Sequence, residues 1–156
     1  MKKNNISIKS PSTNCGIYVE IILRALPDWF GIEKSTLQYI KDANIMPTML
    51  VEDGNDVIGF ITIKKHFSET AEIHCMGILP KYHRMGIGKL LIKELESYLK
   101  NERIKMLQVK TISDDRNCKF YSKTREFYKS VGFIPIEVFP KLWDESNPCL
   151  QLVKQI

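Results

Sequence analysis

The sequence contains no apolar run approaching the roughly 18 residues that a membrane-crossing helix needs, so no helical membrane span is expected. Its opening, MKKNNISIKS, is basic but lacks the apolar stretch of a signal peptide. Both features point to a cytoplasmic protein with no membrane partner. Cysteine is sparse. Cys15, Cys75, Cys118 and Cys149 are scattered and form no CxxC pair, which argues against a zinc ribbon and leaves no metal site expected. In a cytoplasmic chain they read as free thiols. The formal charge is +5, but no long run of one sign occurs and the basic residues are spread along the chain. With no recognised nucleic-acid motif, no nucleic-acid partner is expected. Internal repeats, low-complexity segments and Pro/Gly/Ser linkers are absent, as is any Ser-His-Asp or Cys-His arrangement. The 156 residues suit one domain, 1–156, with a proper core.

What is present is a readable order of periodicities. GIYVEIILRAL carries Ile17, Ile21, Ile22 and Leu26 near helical spacing, and Pro27 ends it. EKSTLQYIKDA is a second short helix. PTMLVED, VIGFITIKKHF and AEIHCMGIL alternate as strands around the turns DGND and SET. The period then changes. Ile87, Leu90, Leu91, Leu95, Tyr98 and Leu99 line one face of a helix from Gly86 to about Asn101. KMLQVKT is the next strand, and Tyr121, Thr124, Phe127, Tyr128 and Val131 give the following helix its inner face, with Gly132 as its cap. FIPIEVFP and PCLQLVK are two final strands joined by KLWDESN. A meander followed by a strand-helix-strand unit predicts an α/β fold. Its mixed central sheet is antiparallel first, gains a parallel pair, and is flanked by helices.

Within this frame KYHRMGIGKLL is the anomaly. Glycine costs a helix interior about 1 kcal/mol relative to alanine, yet Gly86 and Gly88 stand where a helix begins. A P-loop would need glycine at His83 and Ser or Thr at Leu90, and a dinucleotide fingerprint would need a third glycine at Leu91. Both fail on residues. The physical reading that survives is an anion cradle at a helix start, where backbone N–H groups lack partners and the dipole is positive. The backbone from His83 through Arg84, Met85, Gly86, Ile87 and Gly88 to Lys89 would form it. An ordinary tight turn with solvated basic residues is the competing reading.

The segment ILPKYHRMGIGKLLI resembles the coenzyme A-binding signature of the GNAT superfamily of N-acetyltransferases, Q/R-x-x-G-x-G/A, with His83 at the first position. TREFYKSVGF resembles the A-x-x-F-Y-x-x-x-G-F segment of the same family, with Thr124 for Ala and Tyr121 where many members carry Asn. The two motifs occur in family order, and the element order matches over residues 46–153. The resemblance implies the GNAT fold and an acetyl-CoA-dependent N-acetyltransferase, in which the primary amine of an acceptor attacks the thioester directly.

The resemblance also implies roles. In the family the strand before the signature splays from its parallel neighbour, and the pantetheine arm inserts there as a pseudo-strand. Met76, Gly77 and Ile78 would then be its backbone partners, with His83–Lys89, Tyr121 and Thr124 completing the cofactor site. Gly77 marks either a bulge that opens the sheet or a space-saving core position. Tyr128 stands at the place of the family's general acid, where a phenol pKa near 10 suits donation to a thiolate. By strand alternation Glu72 and His74 share a face with Met76. Glu72 is the first candidate for the general base and His74, whose side-chain type titrates near neutrality, the second. Trp29, Phe30 and Trp143 are candidates for an aromatic wall around a cationic acceptor. The expected acceptor is a small-molecule or peptide amine, and the expected assembly a monomer or homodimer. A non-catalytic acyl-CoA sensor of the same fold is the alternative.

Overall fold

The period-two stretches become strands and the period-3.6 stretches helices in a computed structural model that describes residues 5–156. The elements are β1 (Ile6–Ile8), α1 (Gly16–Arg24), α2 (Glu33–Ile45), β2 (Thr48–Asp53), β3 (Asp56–Phe67) and β4 (Thr70–Ile78). A short 3-10 turn (Pro80–Tyr82) precedes α3 (Ile87–Asn101), and β5 (Met106–Ile112), α4 (Lys119–Ser130), β6 (Ile134–Asp144) and β7 (Asn147–Gln155) follow. The strands form one mixed sheet in the order β1-β2-β3-β4-β5-β7-β6, the α/β architecture expected from the sequence. The described residues divide into two compact units, the first holding residues up to 64 with 74–98, the second 65–73 with 99–156.

In the first unit β2 pairs antiparallel with both β1 and β3. The α1 helix closes on this sheet through Val19, Ile22 and Leu23, joined by Leu26 beyond its end. These cluster with Leu50, Phe60 and Cys75, all buried. Each such aliphatic side chain contributes about 1.5–3 kcal/mol when removed from water. The contact is close. A Cβ on Gly77 would meet Ile22 Cγ2 at 3.0 Å, Leu26 Cδ1 at 3.1 Å and Phe60 Cε1 at 3.1 Å. Gly77 is therefore a space-saving residue under α1. The inward face of α1 differs from the one expected, because Ile17 and Ile21 are 66% and 57% exposed. The helix is apolar nearly all round, so its period allowed two faces, and the i, i+3, i+4, i+7 set starting at Val19 is the one buried. Leu90 of α3 is likewise exposed, and Ile92 buried in its stead.

In the second unit the start of β4 runs parallel to β5 over four registers, Thr70↔Met106 to Ile73↔Val109, after which β4 continues to Ile78 and β5 to Ile112. Beyond it β5 pairs antiparallel with β7 over seven registers. Opposed residues share a face, so Glu72, Gln108, Lys110, Gln151 and Val153 lie on one side of this sheet. Leu107, Val109, Leu150 and Leu152 are buried on the other. The last hairpin is tighter than expected: β6 reaches Asp144, and only Glu145 and Ser146 separate it from β7. The extra residues are absorbed as irregularities between Pro135 and Glu137 and between Phe139 and Asp144, since proline interrupts a regular ladder.

Candidate active site

The loop from β4 into α3 is built in the first unit by three anchors. Tyr82 is buried and donates its hydroxyl to Asp53 Oδ2 at 2.9 Å. That bond, with burial and the charges of Asp53 and Asp56, raises the phenol above its ordinary pKa. His83 Nε2–H donates to the Ile78 carbonyl at 2.7 Å, and its ring meets Trp29 edge-on at 5.7 Å. The side chain at the first signature position thus ties the loop to the end of β4. The backbone between these anchors and the helix is bent through the left-handed region at Arg84 (φ 63) and Gly86 (φ 78). Such a conformation costs a non-glycine residue about 1–2 kcal/mol.

Gly86 meets the steric demand, and a Cβ there would point into open space. Arg84, Met85, Gly86 and Lys89 are exposed, Gly88 is half-buried, and Ile87 is buried as the first residue of α3. The helix start therefore faces solvent with two cations beside it and no side chain over its backbone. That arrangement fits a diphosphate, since the first-turn N–H groups have no helical partners and carry the positive end of the dipole.

Met76 and Ile78 are half-buried and Gly77 is buried at the end of β4. Next to them His74 Nε2–H donates to Asp42 Oδ2 at 2.7 Å, and Tyr39 stands edge-on to the imidazole at 5.4 Å. Asp42, 7% exposed, also accepts from Gln38 Nε2 at 2.8 Å. With Nε2 committed to the carboxylate, the Nδ1 lone pair of a neutral His74 is left to accept a proton. Asp42 did not emerge from the sequence because its partner lies 32 positions away. The one local signal is an acidic residue adjacent to buried Ala43 on α2. Trp29 and Phe30 pack against the α1 cluster, Phe30 edge-on to Tyr39.

The second unit holds the other candidates. Glu72 is 7% exposed and accepts from His66 Nε2 at 2.5 Å, Gln108 Nε2 at 3.1 Å and Lys110 Nζ at 3.0 Å. Burial alone would push this carboxyl up, but the bonds and charges of His66 and Lys110 outweigh it and hold the pKa below the ordinary value. A second amide bond, Gln151 Nε2 to Gln108 Oε1 at 2.7 Å, extends the network across the sheet. His66, Gln108 and Lys110 were not singled out in the sequence, because each reads as an ordinary polar position of an alternating strand.

Tyr128 is 7% exposed, edge-on to Phe133 at 5.6 Å. Gly132, at φ +98, turns the chain out of α4 just before Phe133. Arg125 Nη1 donates to the Ile112 carbonyl at 2.9 Å and so fastens α4 to the end of β5. Tyr121 is half-buried, and Thr124 spends its hydroxyl on the Phe120 carbonyl at 3.3 Å. The backbone N–H groups of Tyr121 and Phe120, with Arg116 and Arg125, lower the Cys118 thiol pKa against a weak opposing burial. Trp143 is 45% exposed in the irregular part of β6.

Comparison with known proteins bears on all of this. The family described as Acetyltransferase (GNAT) family matches residues 18–133. An uncharacterised N-acetyltransferase of Chlorobaculum tepidum is 29% identical over 96 residues, 60% of this chain and 55% of that protein. The chain spans about half the length of the curated relatives it matches. Among solved structures, a GNAT-family acetyltransferase of Desulfovibrio desulfuricans superposes with TM-score 0.83 at 12% identity, covering 96% of this chain and 98% of the other. One from Elizabethkingia anophelis, solved with acetyl-CoA bound, gives 0.74 at 21% identity, covering 99% and 100%.

Proposed function

Because this chain belongs to the acetyltransferase (GNAT) family, we propose that it transfers the acetyl group of acetyl-CoA to a primary amine of a small-molecule or peptide acceptor. The observation that carries the reading is the exposed helix start at Gly86, with left-handed backbone at Arg84 and Gly86 and uncovered first-turn N–H groups. Its chemistry suits the diphosphate of coenzyme A. Arg84 and Lys89 add charge there, while His83 holds the loop on Ile78. Acetyl-CoA, when bound, supplies a thioester activated toward nucleophiles.

The protein's own part is positional and protonic. Backbone groups of Met76, Gly77 and Ile78 hold the acyl arm and its carbonyl. The acceptor arrives as an ammonium ion and must lose a proton before it can attack. Of the two candidate bases, His74 has the better credentials. Its Nδ1 is available, and Asp42 fixes the ring and stabilises the imidazolium that forms. Glu72 is already engaged by three donors and held ionised, so it is a poor proton acceptor. Its proposed role is to fix the sheet beside the last parallel register. In the second unit Tyr128 gives its phenolic proton to the departing sulfur, with Tyr121 and Thr124 as neighbouring contacts to the cofactor. Trp29, Phe30 and Trp143 remain the proposed aromatic contacts to the acceptor.

The test is release of free CoA from acetyl-CoA across an amine panel. The Tyr128→Phe variant should lose about 100-fold in kcat with its KM for acetyl-CoA nearly unchanged. Equal turnover in that variant removes Tyr128 from the mechanism. Absence of CoA release with every amine, alongside thermal stabilisation by acetyl-CoA, would favour a sensor of the same fold.

A further inference from the structure

On the face of the second unit that carries Glu72, a cavity of about 360 Å³ opens beside the start of the parallel ladder. Its lining includes His66, Phe67, Thr70, Met106, Gln108 and Val153. That volume lies at the lower end of small-ligand sites. Two of its walls are apolar side chains that ordinary folding would hide: Phe67 is 77% exposed and Met106 37%. The Oγ1 atom of Thr70 is fully buried yet has no hydrogen-bond partner among the described residues. An orphan of this kind costs about 1–3 kcal/mol, which a guest bearing one polar atom would relieve. No acidic residue is among the described residues that line the cavity, and the nearby carboxylate of Glu72 is saturated by His66, Gln108 and Lys110. The site therefore has nothing with which to hold a second cation.

The cavity is wired to the reaction region. His66 and Gln108 line it and both donate to Glu72, whose register partner is Gln108, one position before the last parallel pair Ile73↔Val109. From Thr70 to that pair is a run of about 10 Å along the strand. We infer that this cavity receives the apolar end of the acetyl acceptor. The acceptor is then a slender primary amine with a single positive charge, an apolar group about 10 Å from the reacting nitrogen, and at most one hydrogen-bonding atom near that end. Polycationic amines are the class it disfavours. The inference rests on the acetyltransferase reading above and adds the substrate class to it.

Two measurements test it on the full chain. The first is acetylation of phenylbutylamine, ethylamine and spermidine, followed by CoA release. The second is binding of phenylbutylamine without acetyl-CoA, by ligand-observed NMR. The wild type should prefer phenylbutylamine in kcat/KM. Met106→Glu and Phe67→Ser should each lower the phenylbutylamine-to-ethylamine ratio at least tenfold and weaken phenylbutylamine binding by a similar factor. Phe67 is exposed enough that its variant keeps the fold, and Thr70→Val supplies a conservative third, expected to bind phenylbutylamine as well as the wild type or better. Preference for spermidine, unchanged selectivity in both cavity variants, or binding of phenylbutylamine without its acetylation while ethylamine reacts, each overturns the inference. Failure of every amine to release CoA instead overturns the acetyltransferase reading, and this inference with it.

Discussion

Two histidine–carboxylate pairs lie on β4 or reach it, and they differ in what surrounds them. Glu72 accepts from His66, Gln108 and Lys110, so its charge is spent on holding three side chains. Asp42 accepts from His74 and Gln38 only, and the ring it holds keeps one nitrogen available. The same two chemical groups thus make a structural clamp in one unit and a poised proton acceptor in the other. The number of competing donors around the carboxylate decides which. A fully satisfied carboxylate resists taking a proton, because each bond to its ionised form lowers its pKa.

The contrast can be broken at four points. The largest effect is expected for His74→Ala, with kcat down about 100-fold and the urea midpoint little moved, whereas His66→Ala should leave kcat within about threefold. A reversed pair of results would exchange the two roles. Next is Glu72→Gln, which leaves Lys110 and His66 without a counter-charge in a largely buried setting and should cost about 2 kcal/mol of stability by urea titration.

The same clamp sets an acid limit. The Glu72 carboxyl is held below its ordinary value of 4.5 in the folded protein. Its contribution is therefore fully present above that value and is lost as pH falls through the lower, folded pKa. A melting series from pH 7 downward should show a decline below about pH 4.5 that Glu72→Gln flattens. Third, Asp42→Asn should reduce kcat by at least about tenfold through loss of the ring's orientation and of charge on the imidazolium, with a changed pH–rate profile that a packing defect would not produce. The smallest effect belongs to the loop that both pairs leave untouched. Gly86→Ala places a Cβ at φ +78, and should cost about 1 kcal/mol and raise the KM for acetyl-CoA severalfold.

Most of the sheet could be read from the chain, because alternation and turn residues are local. The strands from β2 to β5 and the start of α3 follow from DGND, from the period change after Ile78 and from the glycines themselves. Three features escaped for identifiable reasons. β1 is only three residues, Ile6–Ile8, too short for a period. The buried face of α1 could not be chosen from an apolar helix whose exposed side includes Ile17, Tyr18 and Ile21. The final hairpin was drawn with a long connection because Pro135 and Pro140 read as strand ends, whereas β6 carries both through irregular pairing. At the candidate site the single residues were legible and their partners were not. His74 and Glu72 were found by alternation, but Asp42, His66, Gln108 and Lys110 join them only through tertiary structure, and those partners divide the two candidate bases.

The short parallel ladder also bears on how the chain folds. Its first register joins Thr70 to Met106, so closing it requires α3 and the loops on either side to be gathered first. By contrast β6 and β7 meet across a turn of Glu145 and Ser146. Loop-closure entropy and contact order both favour the hairpin early and the parallel seam late. With four registers against seven in the neighbouring β5–β7 ladder, that seam also repays less of its cost once formed. Native-state hydrogen exchange should therefore find the amides between Ile73 and Thr70 opening before those of β7, so that the strand junction nearest the proposed chemistry is also where unfolding begins.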